Sequence, residues 1–469
     1  MLSPEVKNKL IDIVGAENVL DSNQSKLAYS YDATANFQSL PDAVVQPRNT
    51  EEVSGVLKVC NEHRVPIVPR GSGTNLCAGT CPTEGGIVLI FNNMSDILEI
   101  DEENLTVTVQ PGVITLDMIK AVEAKGLFYP PDPSSMKIST MGGNLMENSG
   151  GLRGLKYGVT RDYVMGLEVV LPNGDIIRTG GKLAKDVAGY DLTRLFVGSE
   201  GTLGVITEAT MKLIPQPETK KTMLAVYKDI ESAAQSVSNI IAAKIIPTTL
   251  EFMDRSTIEV VEDFAKVGLP TDAEAILLIE QDGPAEVVER DIAKIEEICR
   301  SMNAMNVEVA KSEAEADALR TARRSALSAL ARLKPTTILE DATVPRSEIA
   351  KMVEATNEIA KKHNVRICTF GHAGDGNLHP TCLTDARDHE EIERVEAAFA
   401  DIFKESIKLG GTITGEHGVG EMKSPYLELK LGETGIRAMK GIKDAFDPNH
   451  IMNPGKMFAK DERKRVIVE

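Results

Sequence analysis

Tryptophan is absent from the 469 residues, and aromatics together make up only 4%. The chain therefore offers no surface for stacking nucleobases. Basic charge is also short: 52 Lys and Arg stand against 70 Asp and Glu, for a formal charge of -18. That balance argues against DNA, RNA or anionic lipid as partners, and any anionic substrate needs a local cationic pocket. Cysteine is sparse and scattered, at Cys60, Cys77, Cys81, Cys299, Cys368 and Cys382. No CxxC spacing occurs, which speaks against a cysteine-ligated iron–sulfur cluster or a dithiol redox motif. Cys77 and Cys81 could pair in principle, but free thiols in a reducing cytosol are the simpler expectation. No apolar run is long enough to span a bilayer, and the start Met-Leu-Ser-Pro-Glu-Val-Lys lacks the basic and apolar regions of an export signal. A cytoplasmic location is expected.

What is present describes an ordinary globular protein, with 42% hydrophobic and 26% charged residues. The length suggests two domains, each with its own core. The 17 methionines read as core filler. A helix over 51–63 leads into the strand 65–68, and then comes Arg70-Gly71-Ser72-Gly73-Thr74-Asn75-Leu76-Cys77-Ala78-Gly79. Glycines there let backbone N–H groups approach an anion such as a diphosphate. The loop is neither a Rossmann fingerprint nor a Walker loop, and a structural turn would use the same residues. Strands follow at 86–91, 97–101 and 105–109, then a helix over 116–125, a glycine-rich region over 130–158 and a hairpin turn at Pro172-Asn173-Gly174-Asp175.

Pro215-Gln216-Pro217 reads as a linker, after which strands and helices alternate regularly. The pattern predicts an α+β sandwich with a half-exposed sheet covered on one side by helices, including one long helix over 312–333. Within it lies His372-Ala-Gly-Asp-Gly-Asn-Leu-His379, followed by Gly415-Glu416-His417-Gly418. Two imidazoles on a glycine-broken loop plus a carboxylate suit a divalent cation such as Zn, Fe or Mn, with positions left open for water or substrate. Loop histidines bonded to backbone are the bland alternative. His363 and His389 lie in charged helical surroundings and are expected to face solvent, and His450 is expected to be structural.

Further glycine-rich stretches follow the first loop: Pro131-Asp132-Pro133-Ser134, Met141-Gly142-Gly143-Asn144, Asn148-Ser149-Gly150-Gly151, Lys156-Tyr157-Gly158 and Gly198-Ser199-Glu200-Gly201-Thr202-Leu203-Gly204. In this order they resemble the FAD-binding domain of the vanillyl-alcohol oxidase and para-cresol methylhydroxylase superfamily. Residues 218–457 resemble the FAD-linked oxidase C-terminal domain, and the nearest likeness is to D-lactate dehydrogenase, the glycolate oxidase flavin subunit and D-2-hydroxyglutarate dehydrogenase. The resemblance implies an α+β protein: a FAD domain over 1–217, a substrate (cap) domain with antiparallel sheet and metal site over 218–420, and a helical segment over 421–469 returning to the FAD domain. It implies FAD contacts from Arg70, Gly71, Ser72, Gly73, Thr74, Asn75, Gly79, Pro131, Asp132, Ser134, Gly142, Gly143, Asn144, Asn148, Gly150, Gly151, Tyr157, Gly158, Glu200, Gly201, Gly204 and Ile206. For Asn144 and Glu200 a turn-stabilising role would use the same residues. The flavin is expected to be non-covalent, because no histidine lies between His63 and His363. Cys77 as a thioether anchor is disfavoured.

The same resemblance implies His372, His379 and Glu416 as metal ligands and His417 as general base, since imidazole titrates near working pH. Asp375 is expected to orient a ligand. Arg323 is expected to fork onto the substrate carboxylate, with Arg320 and Arg324 on a solvated helix face. The implied reaction is oxidation of a short 2-hydroxy acid, D-lactate first, with glycolate, D-2-hydroxyglutarate or a pure electron relay as alternatives. An oxidase would be told apart by peroxide release. The expected electron acceptor is an electron-transferring flavoprotein or another redox protein, by analogy.

Overall fold

The computed structural model describes residues 2–459. Its first part holds two larger sheets and a two-stranded pairing of Leu127–Phe128 with Ile214–Pro215. In one, the strands Ala43–Val45, Ile87–Ile90 and Ile67–Arg70 run parallel, with the short strand Val19–Leu20 antiparallel at the edge. Ala43–Val45 and Ile67–Arg70 flank Ile87–Ile90, and the helix Thr50–His63 carries the crossover between these two parallel strands. Asn49 caps that helix by accepting from Glu52 N, and Arg64 ends it in a left-handed conformation. Val53, Val56, Leu57 and Cys60 form its buried stripe. Each large aliphatic among them contributes about 1.5–3 kcal/mol by leaving water.

The other sheet is antiparallel, in the order Ile97–Asp101, Thr106–Val109, Val205–Lys212, Val164–Val170 and Ile176–Gly180. The glycine-rich region 130–158, for which the sequence predicts no helix, contains the helix Met141–Glu147. Thr140 caps it and Asn148 ends it at φ 55, so the two ends define a helix that its composition conceals.

After Pro217 the chain builds a large antiparallel sheet. Its order is Asn306–Val309, Thr219–Tyr227, Ala275–Gly283, Thr249–Asp254, Arg366–His372, Asn377–Thr384 and Thr336–Leu339, with Ala342–Thr343 also paired to Asn377–Thr384. The expected half-exposed sheet is not what forms. The helices Ile230–Ala242, Ala285–Ser301, Ile349–His363 and His389–Lys408 cover one face. Arg255–Ala265, Glu313–Arg324 and Ala326–Leu330 cover part of the other. Strand residues that read as one apolar run are therefore buried on both sides, as in Ala275–Gly283. The long helix expected over 312–333 is broken after Arg324, where the Ser325 hydroxyl donates back to Ala322 O at 2.8 Å.

The chain then returns to the first part. Phe446, at the end of the helix Leu427–Phe446, meets Phe196 edge-on at 5.5 Å. The Asn453 amide donates to Gly79 O and Glu200 O, and buried Lys456 donates to Cys81 O.

Candidate active site and flavin cradle

Strand Arg366–His372 ends at its histidine, the chain turns at Gly374–Gly376, and strand Asn377–Thr384 resumes with His379 facing the same space. Register pairs Phe370 with His379 and leaves the two imidazoles edge-on, 5.0 Å apart. Glu416 enters from a separate loop. Its Oε1 lies 3.2 Å from His372 Nε2 and 3.3 Å from His379 Nε2, and the three ligand atoms fall within 4.8 Å of one another. His417 stacks on His379 at 5.2 Å with 10° between planes.

The residue that orients His372 is Glu251, not Asp375. Glu251 Oε1 lies 2.7 Å from His372 Nδ1, while Arg323 sits 2.6 Å from Glu251 Oε2. A carboxylate behind a ligating histidine fixes its tautomer and raises its basicity. Sequence reading missed Glu251, although one signal was available: a carboxylate between the apolar residues Leu250 and Phe252 of the strand Thr249–Asp254. The Asp375 carboxyl instead lies beside Gly154, and burial raises it to about 6.

Burial alone would push His372 down, yet Glu251 and Glu416 outweigh it and hold the imidazole well above its ordinary value. Burial lowers His379, and Glu416 only partly opposes this. Burial likewise takes His417 down to about 4, against the pull of Asp341. The cluster gathers two carboxylates, Glu251 and Glu416, around the His372 imidazole. One imidazole donor set and one carboxylate fit a divalent cation of the Zn, Fe or Mn kind.

Two further residues escaped sequence reading. Asp341 is fully buried and accepts from Gly415 N, Glu416 N and His417 N at 2.7, 2.8 and 3.2 Å. Buried Lys423 pairs with it and with Glu340. Their partners lie more than 70 residues away along the chain, a distance across which no local pattern carries information.

The glycine segments of the first part converge on this cluster. A Cβ at Gly150 would stand 2.7 Å from Glu416 Oε2, and one at Gly154 would stand 2.8 Å from Asp375 Oδ2. Glu200 accepts from Val419 N and Gly420 N at 2.7 and 2.6 Å, just beyond the His417 turn. In the first loop Gly73 adopts φ 69, and a Cβ at Gly71 would overlap the Thr140 hydroxyl. At each of these positions glycine lets the backbone pack closely against a neighbouring segment, where a side chain would collide.

Within the cradle, Arg70 is buried and donates to Tyr31 O at 2.7 Å. Asn75 Oδ1 accepts from Gly79 N, and the Ser72 hydroxyl donates to Ile138 O. Asn144 donates to Thr115 and Asn148 accepts from Arg161 N, so these two tie separate segments together, as Glu200 does. The Tyr157 hydroxyl reaches Asp282 at 2.9 Å, across to the large sheet. Ile206 does not line the cradle with its side chain, which is buried in the core beside Phe196 and Leu203. Asp132 is buried and Pro131 with it, whereas Ser134 is exposed. Gly142 and Gly143 occupy the first turn of Met141–Glu147; Gly158, Gly201 and Gly204 pack on Asp162, Pro69 and Val169.

A cavity of about 210 Å³ opens between the two parts, lined among others by Asp132, Arg153, Arg320, Arg323 and Arg324. Arg320 is not on a solvated face. It is buried and tied to Glu280, Glu313 and Asp317 at 2.5–2.8 Å. Arg324 is partly exposed and 4.0 Å from Asp132. All six cysteines are free and buried; His363 pairs with Asp401 at 2.9 Å, while His389 and His450 are exposed.

A glycine-walled cradle closed by an α+β domain defines a two-domain flavin-dependent oxidoreductase. Residues 216–457 match the family described as FAD linked oxidases, C-terminal domain, and residues 41–180 match the FAD binding domain. The chain belongs to the FAD-linked oxidase family and takes FAD as its cofactor. It is 73% identical over 469 residues, all of both chains, to glycolate oxidase subunit GlcD of Bacillus subtilis (strain 168). It is 37% identical to D-lactate dehydrogenase of Anaerostipes hadrus, over 98% of each chain. Among solved structures, p-cresol methylhydroxylase shares the fold with a TM-score of 0.80 at 20% identity, over 97% of this chain and 96% of that one. No helix among the described residues is long and apolar enough to cross a membrane.

Proposed function

We propose that the chain dehydrogenates a short 2-hydroxy acid to the 2-oxo acid, with glycolate first and D-lactate second. The order departs from the sequence expectation of D-lactate because the relative at 73% identity is named a glycolate oxidase subunit. The observation that carries the reading is the His372, His379, Glu416 cluster with His417 stacked beside it and Gly150 packed against Glu416. When bound, FAD supplies a hydride acceptor and a divalent cation supplies charge stabilisation for the developing alkoxide.

The chain's own residues do the rest. His372, His379 and Glu416 hold the cation, and Glu251 keeps His372 in place. Arg323 lines the cavity and holds the substrate carboxylate, while Arg153 and Arg324 add positive charge nearby. His417 accepts the hydroxyl proton as the α-hydrogen leaves with its electron pair and the carbonyl forms. The designation of the Bacillus relative as a subunit supports a protein partner, and in this reading a redox protein such as an electron-transferring flavoprotein takes the electrons.

Anaerobic mixing of the FAD-loaded, metal-loaded protein with glycolate and with each enantiomer of lactate and 2-hydroxyglutarate tests the reading. Bleaching of the flavin band is expected with glycolate or D-lactate. His417→Ala should keep FAD and metal while slowing bleaching on the order of 10²–10⁴-fold. No bleaching with any acid would overturn the proposed reaction.

A further inference from the structure

Asp341 divides its two oxygens between two tasks. Oδ2 accepts from three consecutive amides, Gly415 N, Glu416 N and His417 N, and from the Thr414 hydroxyl at 3.2 Å. The turn that presents both Glu416 and His417 is thereby wound around one carboxylate oxygen. Oδ1 faces the Lys423 ammonium and stands 3.6 Å from His417 Nδ1. That nitrogen is buried and has no hydrogen-bond partner among the described residues. The imidazole plane is already set by its stack on His379. A separation of 3.6 Å exceeds a formed hydrogen bond, but such contacts are commonly long before ligands bind and tighten in the loaded site.

We propose that Asp341 is the positioning carboxylate of the proton-transfer step, building the Gly415-Glu416-His417 turn through Oδ2 and taking the His417 Nδ1–H through Oδ1. This rests on the proposed hydroxy-acid chemistry. With Nδ1 carrying the proton, Nε2 presents a lone pair to the substrate hydroxyl. The substrate O–H bond breaks as the Nε2–H bond forms, and the resulting imidazolium lies against an anion. Asp341 keeps its own charge throughout and does not take the proton. Lys423, fully buried on Asp341 and Glu340, holds the carboxylates in place. The arrangement follows the logic by which a buried aspartate holds the histidine of a hydrolase triad in the productive tautomer.

Nitrogen-15 NMR of histidine-labelled protein, loaded with FAD and zinc, reads the tautomer directly. The His417 signals are identified as those missing from His417→Gln. Protonated Nδ1 with bare Nε2 is expected, and protonated Nε2 with bare Nδ1 overturns the assignment. Kinetics give an independent reading through Asp341→Asn, whose amide cannot satisfy both sets of donors. Its kcat should fall on the order of 10³-fold with KM nearly unchanged and FAD and zinc still bound. An unchanged kcat, or a loss that only tracks lost zinc, overturns the positioning role. If no acid reduces the flavin of the unmodified protein, the hydroxy-acid reading fails while the tautomer measurement still decides the assignment.

Discussion

At the scale of single residues, the approach of His372 to His379 was legible because its geometry is local. His372 and His379 lie on two paired strands with a glycine turn between them, and strand register alone brings them together. Glu251, Asp341 and Lys423 were not legible, because each acts through a residue far along the chain. Glu251 offers a sharp check on that hidden layer. It is 1% exposed and its two oxygens are spent on His372 and Arg323. Glu251→Gln keeps the shape but removes the charge behind His372, so metal affinity should weaken about 10–100-fold. Titration of the apo-protein with zinc measures it, and unchanged affinity would detach Glu251 from the cluster.

At the scale of elements, the sheet was misjudged because periodicity reports an apolar surface and not what covers it. The large sheet was read as half-exposed because the pattern does not tell which face an intervening helix covers: Arg255–Ala265 and Glu313–Arg324 lie between strands of the sheet, yet pack on its second face. The helix Met141–Glu147 was missed because two glycines outweigh its caps in any propensity sum. Asp254 shows how elements are tied together by a buried titratable group. It caps the helix Arg255–Ala265 through Thr257 N at 2.8 Å and reaches across to Thr369 N at 2.9 Å on the neighbouring strand. Burial raises its carboxyl from 3.8 to about 6, although these hydrogen bonds oppose the rise. The folded state then binds the proton more tightly than the unfolded one, so this contribution is complete below pH 4 and lost as pH rises through about 6. Asp254→Asn cannot titrate. The stability of the unmodified protein relative to that variant should fall by about 2–3 kcal/mol between pH 4 and 7. Denaturant unfolding across that range measures it, and a flat difference would mean that Asp254 is solvated.

At the scale of the whole molecule, the first part and the large sheet share one site, so two binding events become linked. The glycine loops and the imidazole cluster lie far apart in sequence, yet Gly150 packs against Glu416 and Glu200 accepts from the amides of Val419 and Gly420. The Lys156 and Tyr157 side chains close the same seam on Asp282. Ordering the cradle around FAD therefore restrains the backbone that carries Glu416, and a cation on Glu416 restrains the cradle in turn. Such coupling is reciprocal by thermodynamic necessity and commonly amounts to about 5–150-fold in affinity. Zinc should bind more tightly to the FAD-loaded protein than to the apo-protein, and FAD should gain the same factor from zinc. Gly150→Ala, whose methyl group would press on Glu416, should shrink that factor while leaving the distant diphosphate loop intact. Calorimetric titrations of each ligand with and without the other measure both arms. Affinities that are indifferent to the second ligand would mean that cradle and cluster respond as separate bodies despite their contact.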